Sequence, residues 1–214
     1  MNLSRREFVA YTAAIGLPAN VRPPAARHGC VILPVRGQCS LPESATGYAR
    51  ALADVNASLL VIPAVLEIPQ NLQALIAQRL QTRGTVLVES GAGFSAGTAF
   101  NRHRDSLREV IDVAVGAPVN LWRGAAGVPY VDYTWPHAAT IRDFSQAVAV
   151  PAQSGDVIAN AAGLPVALRR RIGSGTLIFL GSPLGPALWA GDAEARRWVL
   201  AVARASAPPP AGAR

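Results

Sequence analysis

The sequence predicts an α/β fold built on a mainly parallel sheet, and three observations carry that expectation. Short apolar runs at 58–63 and 85–88 read as strands, the first of the kind buried on both faces. Between them, apolar residues at Leu72, Leu75, Ile76 and Leu80 recur with the 3.6-residue period of a helix, and strands alternating with helices in this way form βα units with parallel neighbours. Late in the chain, 166–172 and 176–180 flank Gly173-Ser174-Gly175, which is the pattern of a β-hairpin.

The elements follow in order. Gly29 to Val35 is a first strand, Thr46 to Val55 a helix, and Ser58 to Pro63 the second strand. Pro69 opens a helix that Gly84 terminates, because proline suits a first helical turn and glycine suits the residue after the last one. Thr85 to Glu89 is the third strand and runs into the turn Ser90-Gly91-Ala92-Gly93-Phe94. Leu107, Val110, Ile111 and Ala114 mark an amphipathic helix, and Val119 to Trp122 a short strand. Tyr130 to Trp135 alternates as a half-exposed strand does, and short apolar pieces follow at 147–150 and 157–159. Asp192 is a good N-cap for a last helix carrying Ala195, Trp198, Val199 and Val202 on one face. The expected organisation is therefore a leader and linker at 1–28, one domain at 29–205 and a Pro/Ala-rich tail at 206–214.

Composition narrows the function. Of 214 residues half are apolar, enough for a substantial core, yet no run approaches the roughly 18 apolar residues of a spanning helix. All 20 basic residues are arginine, so Schiff-base and P-loop lysine chemistry are excluded. The net charge of +7 divides unevenly, with +3 in residues 1–27 and a diffuse +4 over the remaining 187, and the densest run, Arg169-Arg170-Arg171, divides between two faces of a strand. No nucleic-acid interface is expected.

Ser4-Arg5-Arg6-Glu7-Phe8, followed by an apolar stretch and Pro18, Pro23 and Pro24, resembles a twin-arginine translocation signal. The resemblance implies delivery to the bacterial periplasm, or membrane association through an uncut leader. In that compartment Cys30 and Cys39 either pair as a disulfide or stand as a strand cysteine and a loop thiol.

The strand ending in Pro63, the helix ending in Gly84, the strand ending in Glu89-Ser90-Gly91 and the late hairpin leading to Gly181-Ser182-Pro183-Leu184-Gly185 resemble the class I glutamine amidotransferase-like fold. The nearest flavour is its non-glutaminase branch, similar to trehalose-utilisation-type domains and the middle domain of some β-galactosidases. The resemblance implies a flavodoxin-like three-layer sandwich with the site beyond the carboxyl ends of the strands. In the catalytic members a cysteine occupies the turn matching Ser90-Gly91, and a histidine follows the late strand where this chain has Ser182-Pro183. With neither group present, the resemblance implies a domain without glutaminase chemistry.

Two functional classes follow. The first is an exported, non-catalytic module that binds a small ligand or a partner protein, with Gly91, Gly93, Phe94, Ser182 and Arg142 as candidate ligand-binding residues. The second is a hydrolase with Ser90 as nucleophile, Glu89 as acid/base or orienting group and His137 as base, although Val88-Glu89-Ser90-Gly91-Ala92 lacks the first glycine of Gly-x-Ser-x-Gly. A structural subunit of a membrane-associated complex, held by its leader, is a further alternative. His103, in Asn101-Arg102-His103-Arg104, is the other histidine that could fold back as that base, but it reads as solvent-facing. Arg142-Asp143 reads as a buried ion pair or a ligand clamp, and Tyr130, Tyr133 and Trp135 as core or as a stacking surface for a sugar or partner. No metal cluster is proposed from the histidine and carboxylate spacing, and no cofactor from Gly91, Gly93 and Gly97, which fit neither dinucleotide nor P-loop spacing. The oligomeric state is left open.

Overall fold

The computed structural model describes residues 30–33, 41–91, 94, 97–123, 127–144 and 146–206. The leader, Cys39, Gly93 and the tail from 207 onward, on which several expectations fall, lie outside the described residues.

The helices are α1 (Pro42–Ala51), α2 (Gln70–Gln81), α3 (Gly97–Ile111), α4 (Gly185–Trp189) and α5 (Ala193–Ala205). The first strands are β1 (Val31–Ile32), β2 (Leu59–Val65), β3 (Thr85–Ser90) and β4 (Pro118–Asn120). Then come β5 (Tyr130–Tyr133), β6 (Ala139–Arg142), β7 (Gln146–Val148), β8 (Asp156–Ala161), β9 (Leu164–Ile172) and β10 (Gly175–Leu180). Among the described residues, eight strands form one sheet in the order β1-β2-β3-β10-β9-β8-β5-β6, and β4 and β7 pair separately.

The sheet is mixed. β1, β2, β3 and β10 run parallel, as the apolar runs predict. The expected hairpin joins β9 to β10 antiparallel, and β8, β5 and β6 continue antiparallel beyond it. Here β5 is the half-exposed strand that the alternation predicts, whereas β6, four residues long and alternating exposed with buried, escapes a reading based on apolar runs.

In β2 and β3 every residue is buried, and successive side chains serve opposite faces. Val86 and Val88 join the core under α2 and α3, with Ile76, Leu80, Leu107 and Ile111. Leu87 joins the core under α1, α4 and α5, with Tyr48, Leu188, Trp198 and Val202. Helices therefore cover both faces of the parallel half. Trp198, fully buried, satisfies its indole N–H on Trp135 O at 2.8 Å.

The helix ends follow local chemistry. Asp192 caps α5 by accepting from Glu194 N and Ala195 N at 2.8 and 2.9 Å. At the end of α2 the left-handed residue is Arg83 (φ 60°), one before the expected Gly84. Gly84 is required for space instead, since a Cβ there would collide with Arg79. Helix α4 is too short for periodicity to reveal.

Candidate strand-end site

The parallel strands deliver their carboxyl ends to one edge, where β2 ends at Val65, β3 at Ser90 and β10 at Leu180. Pairing of β2 with β3 shifts register between Ile62 and Val65, and Ala64 sits in the left-handed region there, at φ 42°. That conformation turns the Ala64 N–H toward Glu89 Oε2, at 3.3 Å. The other carboxylate oxygen accepts from Gly185 N, in the first turn of α4, at 2.8 Å and from the Ser44 hydroxyl of α1 at 3.4 Å.

Glu89 is wholly buried. Loss of water disfavours its charge and pushes its pKa up to about 7, against the opposing pull of the donors from Gly185, Ala64, Ser44 and Leu184. Two buried tyrosines share its surroundings. Burial first, and then the negative charge of Glu89, raise the Tyr48 and Tyr133 phenols, with Asp143 adding to the effect on Tyr133. Asp143, also buried, accepts from the Ser182 hydroxyl at 2.7 Å.

Ser90 follows Glu89 and faces the other side of the sheet, toward α3. Its Oγ lies 2.9 Å from His103 Nε2, and His103 Nδ1 lies 2.7 Å from Leu66 O. A carbonyl can only accept, so Nδ1 carries the proton and Nε2 offers a lone pair to Ser90. Gly91 O, 3.0 Å from the same hydroxyl, is the alternative acceptor, but a proton directed there would leave two lone pairs facing each other across 2.9 Å. Burial lowers the His103 pKa to about 4, partly offset by Leu66, so the ring is neutral near pH 7. Phe94 packs on it at a centroid distance of 5.0 Å, with Phe100 edge-on to Phe94 at 5.4 Å. Ser90 and His103 are both fully buried.

The histidine on Ser90 is thus His103 and not the expected His137. His103 is buried where a solvent-facing residue was expected, and its spacing from Leu107 and Ile111, four and eight residues, places all three on the apolar stripe of α3. His137 is half-exposed, with Nε2 3.8 Å from Glu194 at the start of α5. Glu89 and Ser90 do not act on one site, because neighbours in a strand point to opposite faces.

The candidate ligand residues also separate. Gly91 is buried and donates its N–H to Val65 O at 2.7 Å; Phe94 covers His103; Ser182 is committed to Asp143. Arg142 and Asp143 do not form a buried ion pair: Asp143 points inward, and Arg142 lies exposed beside Trp122 and Phe144. Cys30 is a half-buried free thiol whose pKa burial raises. Among the described residues no group of three or more His, Cys, Asp or Glu is placed to hold a metal ion, and no helix is long and apolar enough to cross a membrane. The buried Ser182–Asp143 and Ser44–Glu89 pairs were not foreseen, since each joins residues 39 and 45 positions apart.

No family model and no curated protein matches the chain. Solved structures do. A β-galactosidase from Rahnella sp. R3 is similar with a TM-score of 0.58 and 13% identity, over 85% of this chain and 31% of that one. A GH42 β-galactosidase from G. stearothermophilus gives 0.52 and 14%, over 74% and 28%. A cytoplasmic protein from Salmonella typhimurium LT2 gives 0.53 and 17%, over 75% of each chain. The likeness is one of fold. The chain spans under a third of the length of these β-galactosidases, and so matches a domain within them.

Proposed function

We propose that this chain is a non-catalytic binding module on a class I amidotransferase-like, flavodoxin-like three-layer framework, exported by its twin-arginine-like leader. One observation carries the reading. Glu89 and Ser90, at the carboxyl end of β3 where the fold places its chemistry, are wholly buried and committed to partners within the protein. Glu89 ties α4 to β2, and Ser90 ties β3 to α3. Groups in these positions hold elements together and leave ligand recognition to the outer surface.

A serine-directed fluorophosphonate probe tests this. The expected result is no labelling of the full chain at pH 7–8. The second reading, a serine hydrolase, is favoured by the Ser90–His103–Leu66 chain of hydrogen bonds, which is a nucleophile, a base and an orienting acceptor. Labelling of the wild type that disappears in Ser90→Ala would establish the hydrolase. Export is tested separately by fractionating cells that express the Arg5→Lys, Arg6→Lys variant, which is expected to stay inside the cytoplasm.

A further inference from the structure

The outer face of the β5–β6 hairpin presents Tyr130 opposite Arg142 and Asp132 opposite Thr140, all four exposed, while Val131, Tyr133, Ala139 and Ile141 fill the core behind them. Of the aromatic residues expected to stack on a ligand, Tyr130 alone is free to do so. Tyr133 is buried against Trp198 at 4.6 Å, and Arg169 covers Trp135 at 4.8 Å.

The Arg142 guanidinium lies 5.2 Å from the Trp122 ring centre and 4.9 Å from that of Phe144. Both rings are themselves exposed, and Tyr130 is 48% exposed. Among the described residues, the Arg142 side chain makes no hydrogen bond and no ion pair. A cation–π contact uses no N–H donor in a hydrogen bond, so the two rings hold the cation at the surface with its donors available to a ligand. Its natural complement is a carboxylate, bound through two parallel hydrogen bonds.

The rest of the face selects the molecule that carries the carboxylate. Tyr130 and Asp132 line a cleft of about 400 Å³, walled by Leu121 and Val128. Asp132 accepts from Thr140 at 2.8 Å, and a carboxylate oxygen has further lone pairs for outside donors. An acidic peptide or a DNA strand carries anionic groups for Arg142 but few hydroxyl donors for Asp132. A sugar acid brings one carboxylate per ring for Arg142, a C–H face for Tyr130 and hydroxyl donors for Asp132. From this match of charge and chemistry we infer that the face binds a uronate-containing glycan. The inference deepens the binding-module reading and rests on it.

Calorimetric titration of the full chain with trigalacturonate tests it, with maltotriose, hexaglutamate and hexathymidylate as comparison ligands. Trigalacturonate is expected to bind, tighter than each of the other three. Arg142→Gln and Tyr130→Ala are each expected to raise its Kd at least tenfold with the melting temperature unchanged, because both side chains are exposed. Absence of trigalacturonate binding, indifference of its Kd to both variants, or equal or tighter binding of any comparison ligand overturns the inference. Fluorophosphonate labelling of the same sample keeps the two readings separate. A chain that binds no uronate and takes no label loses only the glycan inference, whereas Ser90-dependent labelling removes the non-catalytic reading.

Discussion

Ser90 donates its hydroxyl proton to His103 Nε2 across 2.9 Å, and the direction of that bond is set on the far side of the ring, where Nδ1 is held by Leu66 O. The pair joins the end of β3 to the middle of α3. Ser90→Ala leaves a buried ring nitrogen without its donor, at a cost of about 1–3 kcal/mol. At this chain length each kcal/mol lowers Tm by about 2–4 °C. Urea denaturation of the purified variant reads the cost directly, and an unchanged midpoint would remove the structural role given to the bond.

The neutral state of His103 makes stability depend on pH with a definite sign. Burial holds the folded-state pKa at about 4, while in the unfolded chain it returns to its ordinary 6.5. Above pH 6.5 the contribution is complete. As pH falls from 6.5 toward 4 the unfolded chain takes up a proton that the folded one does not, and about 3 kcal/mol is lost. The stability difference between the wild type and His103→Gln should shrink over that window; a difference that ignores pH would contradict the assignment.

Glu89 works in the opposite direction. Its carboxyl titrates at about 7 when folded and at 4.5 when unfolded, so its contribution is complete below pH 4.5 and is lost as pH rises through 7. Relative to Glu89→Gln, which cannot ionise, the wild type should lose about 3 kcal/mol between pH 4.5 and 8. Guanidinium titrations at those two pH values provide the check. Over pH 4.5–6.5 the slopes of Glu89 and His103 oppose each other in the wild type, so each is read from the difference between the wild type and its own variant.

The contact that lets α4 reach Glu89 is a close helix crossing. A Cβ on Gly185 would overlap Ser44 of α1, and one on Gly47 would come within 2.5 Å of Gly185 O and 2.8 Å of Trp189 N. Gly185→Ala is expected to cost at least about 3 kcal/mol, the upper end for overpacking, because the obstructing groups include backbone. Thermal melting of Gly185→Ala beside Gly191→Ala tests this: Gly191 has open space around it and should suffer only through its positive φ of 82°.

Removal of the Asp192 cap gives a milder, calibrating effect. Asp192→Ala leaves two N–H groups of α5 without their acceptor and should cost about 1 kcal/mol. Asp192→Asn, which keeps a side-chain oxygen, should recover most of it in the same melting experiment.

Sequence made the parallel half of the sheet legible because its strands are buried on both faces and its helices carry a clear apolar period. The N-cap at Asp192 was equally plain, since capping is decided within three residues. Strand β6 and helix α4 were not, because four or five residues carry too little period to read. At the strand ends, Ser90 and Glu89 could be singled out, but their partners could not: His103 is 13 residues from Ser90, and Gly185 is 96 from Glu89. The one overlooked local clue is the alignment of His103 with Leu107 and Ile111, which marks a helix position as inward-facing even when the residue there is polar.

The opposed directions of Glu89 and Ser90 bear on how such a scaffold could be remade as a catalyst. A library that varies side chains around Ser90 keeps the carboxyl and the imidazole on opposite sides of a hydrogen-bonded layer, however many variants it holds. Inserting a single residue into β3 transfers everything after it to the other face. For directed evolution, then, the productive change is an insertion in the backbone before any substitution of side chains.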